Sequence, residues 1–125
     1  MLRAALLSLI ALASLSAQEM QPLQMAPTLA SARSDWIRIT NQRFQMSGKS
    51  TRVISEGEGG LTAVILTGEV VRTKQAKRVL LGKDEHALLF RSIVAEGFNR
   101  IVVRNPETQQ EWAATLEQGK AVLAF

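Results

Sequence analysis

The chain has no cysteine and no tyrosine, and a single histidine. Without cysteine there is no disulfide framework, so a folded unit must be held by its sheet and its core. A zinc site wants three or four ligands, and one His without Cys does not supply them. Aromatics are also scarce: four Phe and two Trp. That leaves too few stacking platforms for a single-strand nucleic-acid binder. Charge of one sign is modest as well, at 15 basic against 11 acidic residues. Such a balance is mildly favourable for anionic surfaces and weak as a nucleic-acid footprint. No long transmembrane run occurs, because the apolar stretch from residue 4 to 15 is shorter than the roughly 20 residues a span needs.

That short apolar stretch follows Arg3 and leads to Ala17, the layout of a secretory signal peptide over residues 1–17. Cleavage after Ser16 and after Ala17 are both open. No Cys follows the run, which excludes lipid attachment there. Residues 18–34 carry Pro22 and Pro27 without a clear period and read as a flexible lead-in. Residues 35–125 then form one domain, long enough to bury a modest core. The expected location is periplasmic or secreted.

What the chain does have is a recurring phrase: apolar residues, a small polar or acidic residue, then glycine. It reads Val53-Ile54-Ser55-Glu56-Gly57, Val64-Ile65-Leu66-Thr67-Gly68 and Ile93-Val94-Ala95-Glu96-Gly97, with Val122-Leu123-Ala124-Phe125 as a truncated close. Val64 to Ile93 and Ile93 to Val122 are both 29 residues. Even spacing of a β-like phrase points to a repeated strand-pair unit.

A coarse pass predicts about eight short strands. Residues 36–40 alternate, and Phe44 and Met46 continue the two-residue period. Residues 51–56 follow a Ser-Gly-Lys-Ser turn, and 57–60 is a glycine-rich breaker. Residues 61–73 form a long strand, apolar on both faces through Leu66 and so buried on two sides. Residues 74–76 turn; 78–81 and 86–94 are strands; 100–104, 111–116 and a final segment after Gly119 complete the set. Asn105-Pro106-Glu107-Thr108 is a β-turn by composition. Segments 76–78 and 108–116 compete as short helices. The fold class expected is all-β: an open jelly roll, or a small meander or barrel-like sandwich.

Motifs that invite chemistry yield to plainer readings. Ser47-Gly48-Lys49-Ser50 ends like a phosphate-binding loop, but Arg43 stands where the first glycine belongs and β-like residues follow. Asp84, Glu85 and His86 are adjacent, and adjacent strand residues face opposite ways, so they read as a turn and a partly exposed His. No nucleophile-elbow pattern occurs. Arg72, Lys74, Lys77 and Arg78 are the densest basic cluster, open to lipid phosphates or an acidic partner, or else a solvated hairpin end. The terminal Phe125 reads as the close of a soluble sheet rather than of an outer-membrane barrel. No catalytic set and no cofactor site is expected.

The phrases around residues 61–125 resemble the periplasmic lipopolysaccharide-transport family, the OstA-like (organic-solvent-tolerance-like) proteins. Ala63-Val64-Ile65-Leu66-Thr67-Gly68-Glu69-Val70-Val71 is similar to that family's apolar-Thr-Gly-Asn-Val phrase, with Glu69 where Asn is common. Ile93-Val94-Ala95-Glu96-Gly97 is similar to its Ile-x-Ala-x-Gly phrase, after which Phe98-Asn99-Arg100 departs. Residues 110–116 with 119–123 look like its closing strand pair. The resemblance implies an open jelly roll whose interior shelters acyl chains and whose edge strands pair with neighbouring envelope proteins. Val64, Leu66, Ile93, Ile101, Val103, Trp112 and Leu116 are then the lipid-groove candidates and the expected interior. Arg72, Lys74, Lys77 and Arg78 are the candidates for anionic head groups. A second resemblance, through Arg100-Ile101-Val102-Val103-Arg104-Asn105-Pro106, is to small periplasmic barrels of secretion and pilus machines. That reading implies docking on a secretion, pilus or flagellar assembly without a lipid. Both readings describe a non-enzymatic binding or scaffold protein.

Overall fold

The computed structural model describes residues 29–125. The expected signal peptide and most of the expected lead-in lie outside the described residues. Eight regular elements follow: α1 (Leu29–Met46), β1 (Arg52–Glu56), β2 (Thr62–Leu66), α2 (Thr73–Leu80), α3 (Ala87–Ala95), β3 (Arg100–Arg104), β4 (Glu111–Glu117) and β5 (Lys120–Leu123). The strands make one sheet in sequence order. β1 and β2 are an antiparallel hairpin, β2 and β3 run parallel, and β3, β4 and β5 form an antiparallel meander. The two short helices α2 and α3 fill the crossover that a parallel pair demands.

The strands expected at 51–56, 100–104, 111–116 and after Gly119 are present, as is the first part of 61–73. Helix nevertheless outweighs strand, at about 41 % against 27 %. The chain is therefore a mixed α and β layer, not the all-β meander, barrel-like sandwich or jelly roll read from the sequence. Three predicted strands are helices: 36–46 belongs to α1, 78–81 to α2 and its C-cap, and 86–94 to α3 and the 3-10 turn before it. Helix α1 also runs unbroken across the boundary drawn at residue 35.

Each of these differences has a local cause. In α1 the half-buried positions are 32, 33, 36, 37, 40, 41 and 44, a stripe of helical period. Three of its members, Arg33, Thr40 and Asn41, are polar, while apolar Ile39 sits outside it. The stripe was thus masked by a false alternation of Ile37 and Ile39. The third copy of the recurring phrase is a helix end: α3 closes at Ala95, Glu96 caps it, and Gly97 takes φ +87°. The Gly97 amide donates to the Val94 carbonyl and the Glu96 amide to that of Ser92. Apolar-apolar-acid-Gly is as good a helix stop as a strand stop. The long strand from 61 halts at Leu66 because the chain turns inward there. Val70 is buried, and its carbonyl accepts a hydrogen bond from buried Asn105 Nδ2 at 2.9 Å.

Side-chain alternation divides the sheet into two faces. The inner face carries Val53, Ala63, Ile65, Ile101, Val103, Trp112 and Ala114, which pack with Ala76, Val79 and Leu80 of α2, Ile93 of α3, and Trp36, Ile37 and Phe44 of α1. The outer face carries Ile54, Val64, Val102 and Ala113 in one row across β1 to β4. Residues 62–65 are all buried, as expected for a strand covered on both sides. An ion-pair triad joins the strands on the outer face. Arg104 bonds Glu56 through both guanidinium ends, at 2.8 and 2.9 Å, and Glu111 through its Nε. The register puts Arg104 and Glu56 at opposite corners of the three-strand patch. The arginine side chain therefore reaches across the outer face from β3 to the far end of β1.

Candidate functional site

A five-stranded sheet has two edges, and this one treats them differently. At the β1 edge, Asn41 of α1 offers its amide to the backbone as a strand would. Its Oδ1 accepts from the Val53 N–H at 2.7 Å, and its Nδ2 donates to the Val53 carbonyl at 2.9 Å. The helix thus closes the outward backbone groups of Val53. This explains a polar residue in the buried stripe of α1.

The β5 edge has no such closure among the described residues. The Ala124 amide bonds the Ala113 carbonyl, and β4 and β5 are antiparallel, so hydrogen-bonded pairs fall at residues 122 and 120. Ala121 and Leu123 consequently turn their N–H and C=O groups outward. Their side chains point to the inner face, beside the core, while Val122 is 47 % exposed on the outer one. Phe125, just beyond, is 48 % exposed. Unpaired outward backbone with apolar side chains is the chemistry of strand addition.

A second concavity lies where the chain leaves β2. Its volume is about 150 Å³, with Phe44, Ile65, Val70, Val79 and Leu89 making the apolar part of the wall. Lys49, Thr51, Thr67, Glu69, Glu85 and His86 supply the polar groups. Thr51 Oγ1 lies 3.3 Å from Thr67 Oγ1, and Thr67 Oγ1 accepts from the Glu69 amide at 3.2 Å. Asp84, Glu85 and His86 form a 3-10 turn rather than part of a strand. Strand alternation therefore does not separate them: His86 Nε2 sits 3.5 Å from Glu85 Oε2, while Asp84 pairs with Arg78. A hydrogen bond from its own backbone amide, then the charge of His86, holds the Glu85 carboxyl below its ordinary value. Among the described residues no hydrogen bond joins His86 to a hydroxyl, and no group of three His, Cys, Asp or Glu is placed to hold a metal.

The seven lipid-groove candidates do not share one surface. Ile93, Ile101, Val103 and Trp112 lie buried in the filled inner core, with Leu116 half-buried at its margin. Val64 is buried and Leu66 half-buried on the opposite, outer face. The four head-group candidates do come together. Arg72 is the N-cap of α2, and Lys74, Lys77 and Arg78 project from its exposed side. The helix is held at that end by Gln75, whose Oε1 accepts from the amides of Val71 and Arg72, both at 2.9 Å. Asn41 is the residue that sequence reasoning missed. Its only signal was a lone amide on the same helical face as Trp36, Ile37 and Phe44. Compared with protein-family models, curated proteins and solved structures, the chain matches none.

Proposed function

We propose that this protein is a non-enzymatic docking module of the cell envelope, one that accepts an extended segment of a partner protein as a sixth strand beside β5. The observation that carries the reading is the asymmetry of the sheet: Asn41 closes Val53 at one edge, and the backbone of Ala121 and Leu123 faces outward at the other. Main-chain bonding at such an edge supplies affinity without requiring an enzyme-like cleft. The envelope location rests on Arg3, the apolar run and Ala17. An interior filled by its own side chains favours docking over lipid carriage, and so favours the scaffold reading over a jelly-roll groove.

The test uses the full chain in its own envelope, with a photo-activatable side chain in place of Val122. A cross-linked protein adduct of defined mass is expected. Ala121→Pro should remove it, because proline deletes an N–H that points only outward and so leaves the β4–β5 ladder intact. No adduct, or one indifferent to Ala121→Pro while the variant keeps its unfolding midpoint, would sink the docking reading.

A further inference from the structure

Docking at β5 leaves the cavity of about 150 Å³ at the end of β2 without a role. We infer that this cavity binds a small zwitterion with a short apolar body, the chemistry of a free aliphatic α-amino acid. The cavity shares no residue with β5, so the inference goes beyond the docking reading and stands apart from it.

Three observations carry it. The floor is apolar and fixed from several segments at once. Ile65 of β2, Val70 of the loop after it and Val79 of α2 are all buried, and half-buried Leu89 joins them from α3. A space of this size lined by such groups takes a body of about six carbon atoms.

The second observation is a spare donor in that floor. Thr67 is only 6 % exposed. Its Oγ1 accepts from the Glu69 amide and lies 3.3 Å from Thr51 Oγ1. The two hydroxyls carry two hydrogens, and the bond between them uses one. No acceptor among the described residues takes the other, and both threonines line the cavity. A buried donor without an acceptor is costly, so a ligand that places an oxygen there is favoured.

The third is the arrangement of charge at the rim. Lys49 and Thr51 also border a hollow that runs toward Asn41 and Gln45. Glu69 and Glu85 border another, toward Gln75 and Arg78. Positive and negative groups therefore stand on two sides of one cavity. Lys49 makes no ion pair among the described residues, although two carboxylates share its wall. A zwitterion fits between them: its carboxylate meets the threonine pair and Lys49, its ammonium meets Glu69 and Glu85, and its apolar body lies on the floor.

The experiment titrates the full chain by calorimetry with leucine, glycine, isocaproate and isoamylamine. Leucine should bind. Glycine lacks the apolar body and should bind at least about tenfold more weakly. Isocaproate lacks the ammonium and isoamylamine the carboxylate. Each should bind about fivefold more weakly than leucine, the loss of one exposed charge contact. Lys49→Gln should shrink the preference for leucine over isoamylamine and keep the preference over isocaproate. Glu69→Gln combined with Glu85→Gln should do the converse. Thr67→Val keeps the side-chain shape and loses the hydroxyl, so it should weaken leucine and isocaproate but not isoamylamine. These are ratios between probes on one variant, so a general loss of stability does not mimic them. Failure of leucine to bind overturns the inference, as do equal affinities for leucine, isocaproate and isoamylamine. Preferences that none of the three variants alters overturn it too. Ala121→Pro should leave leucine binding unchanged whatever it does to docking; loss of leucine binding there would move the site to the β5 edge and sink the inference.

Discussion

Arg104 ties together three strands through side chains alone. Glu56 stands on β1 and Glu111 on β4, and the guanidinium between them is bonded to both. The hydrogen bonds from Arg104 hold the Glu56 carboxyl below its ordinary 4.5, and the two carboxylates raise the guanidinium above its own ordinary value. Two substitutions separate the charge pairing of Arg104 from the burial of its stem, in a side chain that is 20 % exposed. Arg104→Met keeps an apolar stem and removes the charge. It should cost about 1 kcal/mol in urea unfolding at neutral pH. Arg104→Ala also removes the partly buried stem and should cost about 2–3 kcal/mol. The pH dependence follows from the sign of the Glu56 shift. A depressed folded value means the stabilisation is fully present above the unfolded value near 4.5 and is lost as pH falls through the folded one. The gap between wild type and Arg104→Met should therefore narrow on acidification below about pH 4.5. A constant gap would show that the Glu56 pair contributes nothing measurable.

At the scale of the element, two residues decide what a segment becomes or how it is bounded. Gly97 ends α3 at φ +87°, and the nearest atom to an added Cβ is Arg33 Nη1 at 3.8 Å. Space is thus available and only the backbone conformation objects. Gly97→Ala should cost about 1–2 kcal/mol, the strain of a left-handed alanine. A loss well below that, by thermal or urea unfolding, would mean the turn relaxes to another conformation. Asn41 bounds the sheet. Asn41→Ala leaves the Val53 N–H and carbonyl without their partner and should cost about 1–3 kcal/mol. It should also give the sheet a second open edge, and so promote concentration-dependent association in sedimentation experiments. Asn41→Ala that stays monomeric at every concentration would argue that α1 shields the edge by bulk alone.

For the whole molecule, one inner core joins five strands to three helices, and on the outer face Arg104 pairs with Glu56 and Glu111. Truncation should therefore report the layer a residue belongs to. Ile101→Ala, fully buried against the helices, should cost about 2–5 kcal/mol. Val122→Ala, half-exposed on the outer side of the edge strand, should stay within about 0.5 kcal/mol. Equal losses at the two sites, measured by urea unfolding, would mean that the layers have been assigned the wrong way round.

The strands at 52–56, 100–104 and 111–117 were legible because alternation and β-branched side chains are local signals bounded by strong turns. The Asn105-Pro106-Glu107-Thr108 turn was legible for the same reason, and Asn105 Oδ1 does accept from the Glu107 and Thr108 amides. The basic cluster on α2 was legible as a cluster, though not as a helix. By itself, the sequence thus determined the strands at 52–56, 100–104 and 111–117, the turn between the last two, and the burial of Val64, Ile93, Ile101 and Val103. Only the tertiary structure decided that 36–46 and 87–95 are helices, because their Trp, Ile, Leu and Val side chains suit either a strand or a helix laid on a sheet. It also decided which edge is open, because closing β1 took an amide twelve residues away in sequence, and nothing local to either strand records that contact.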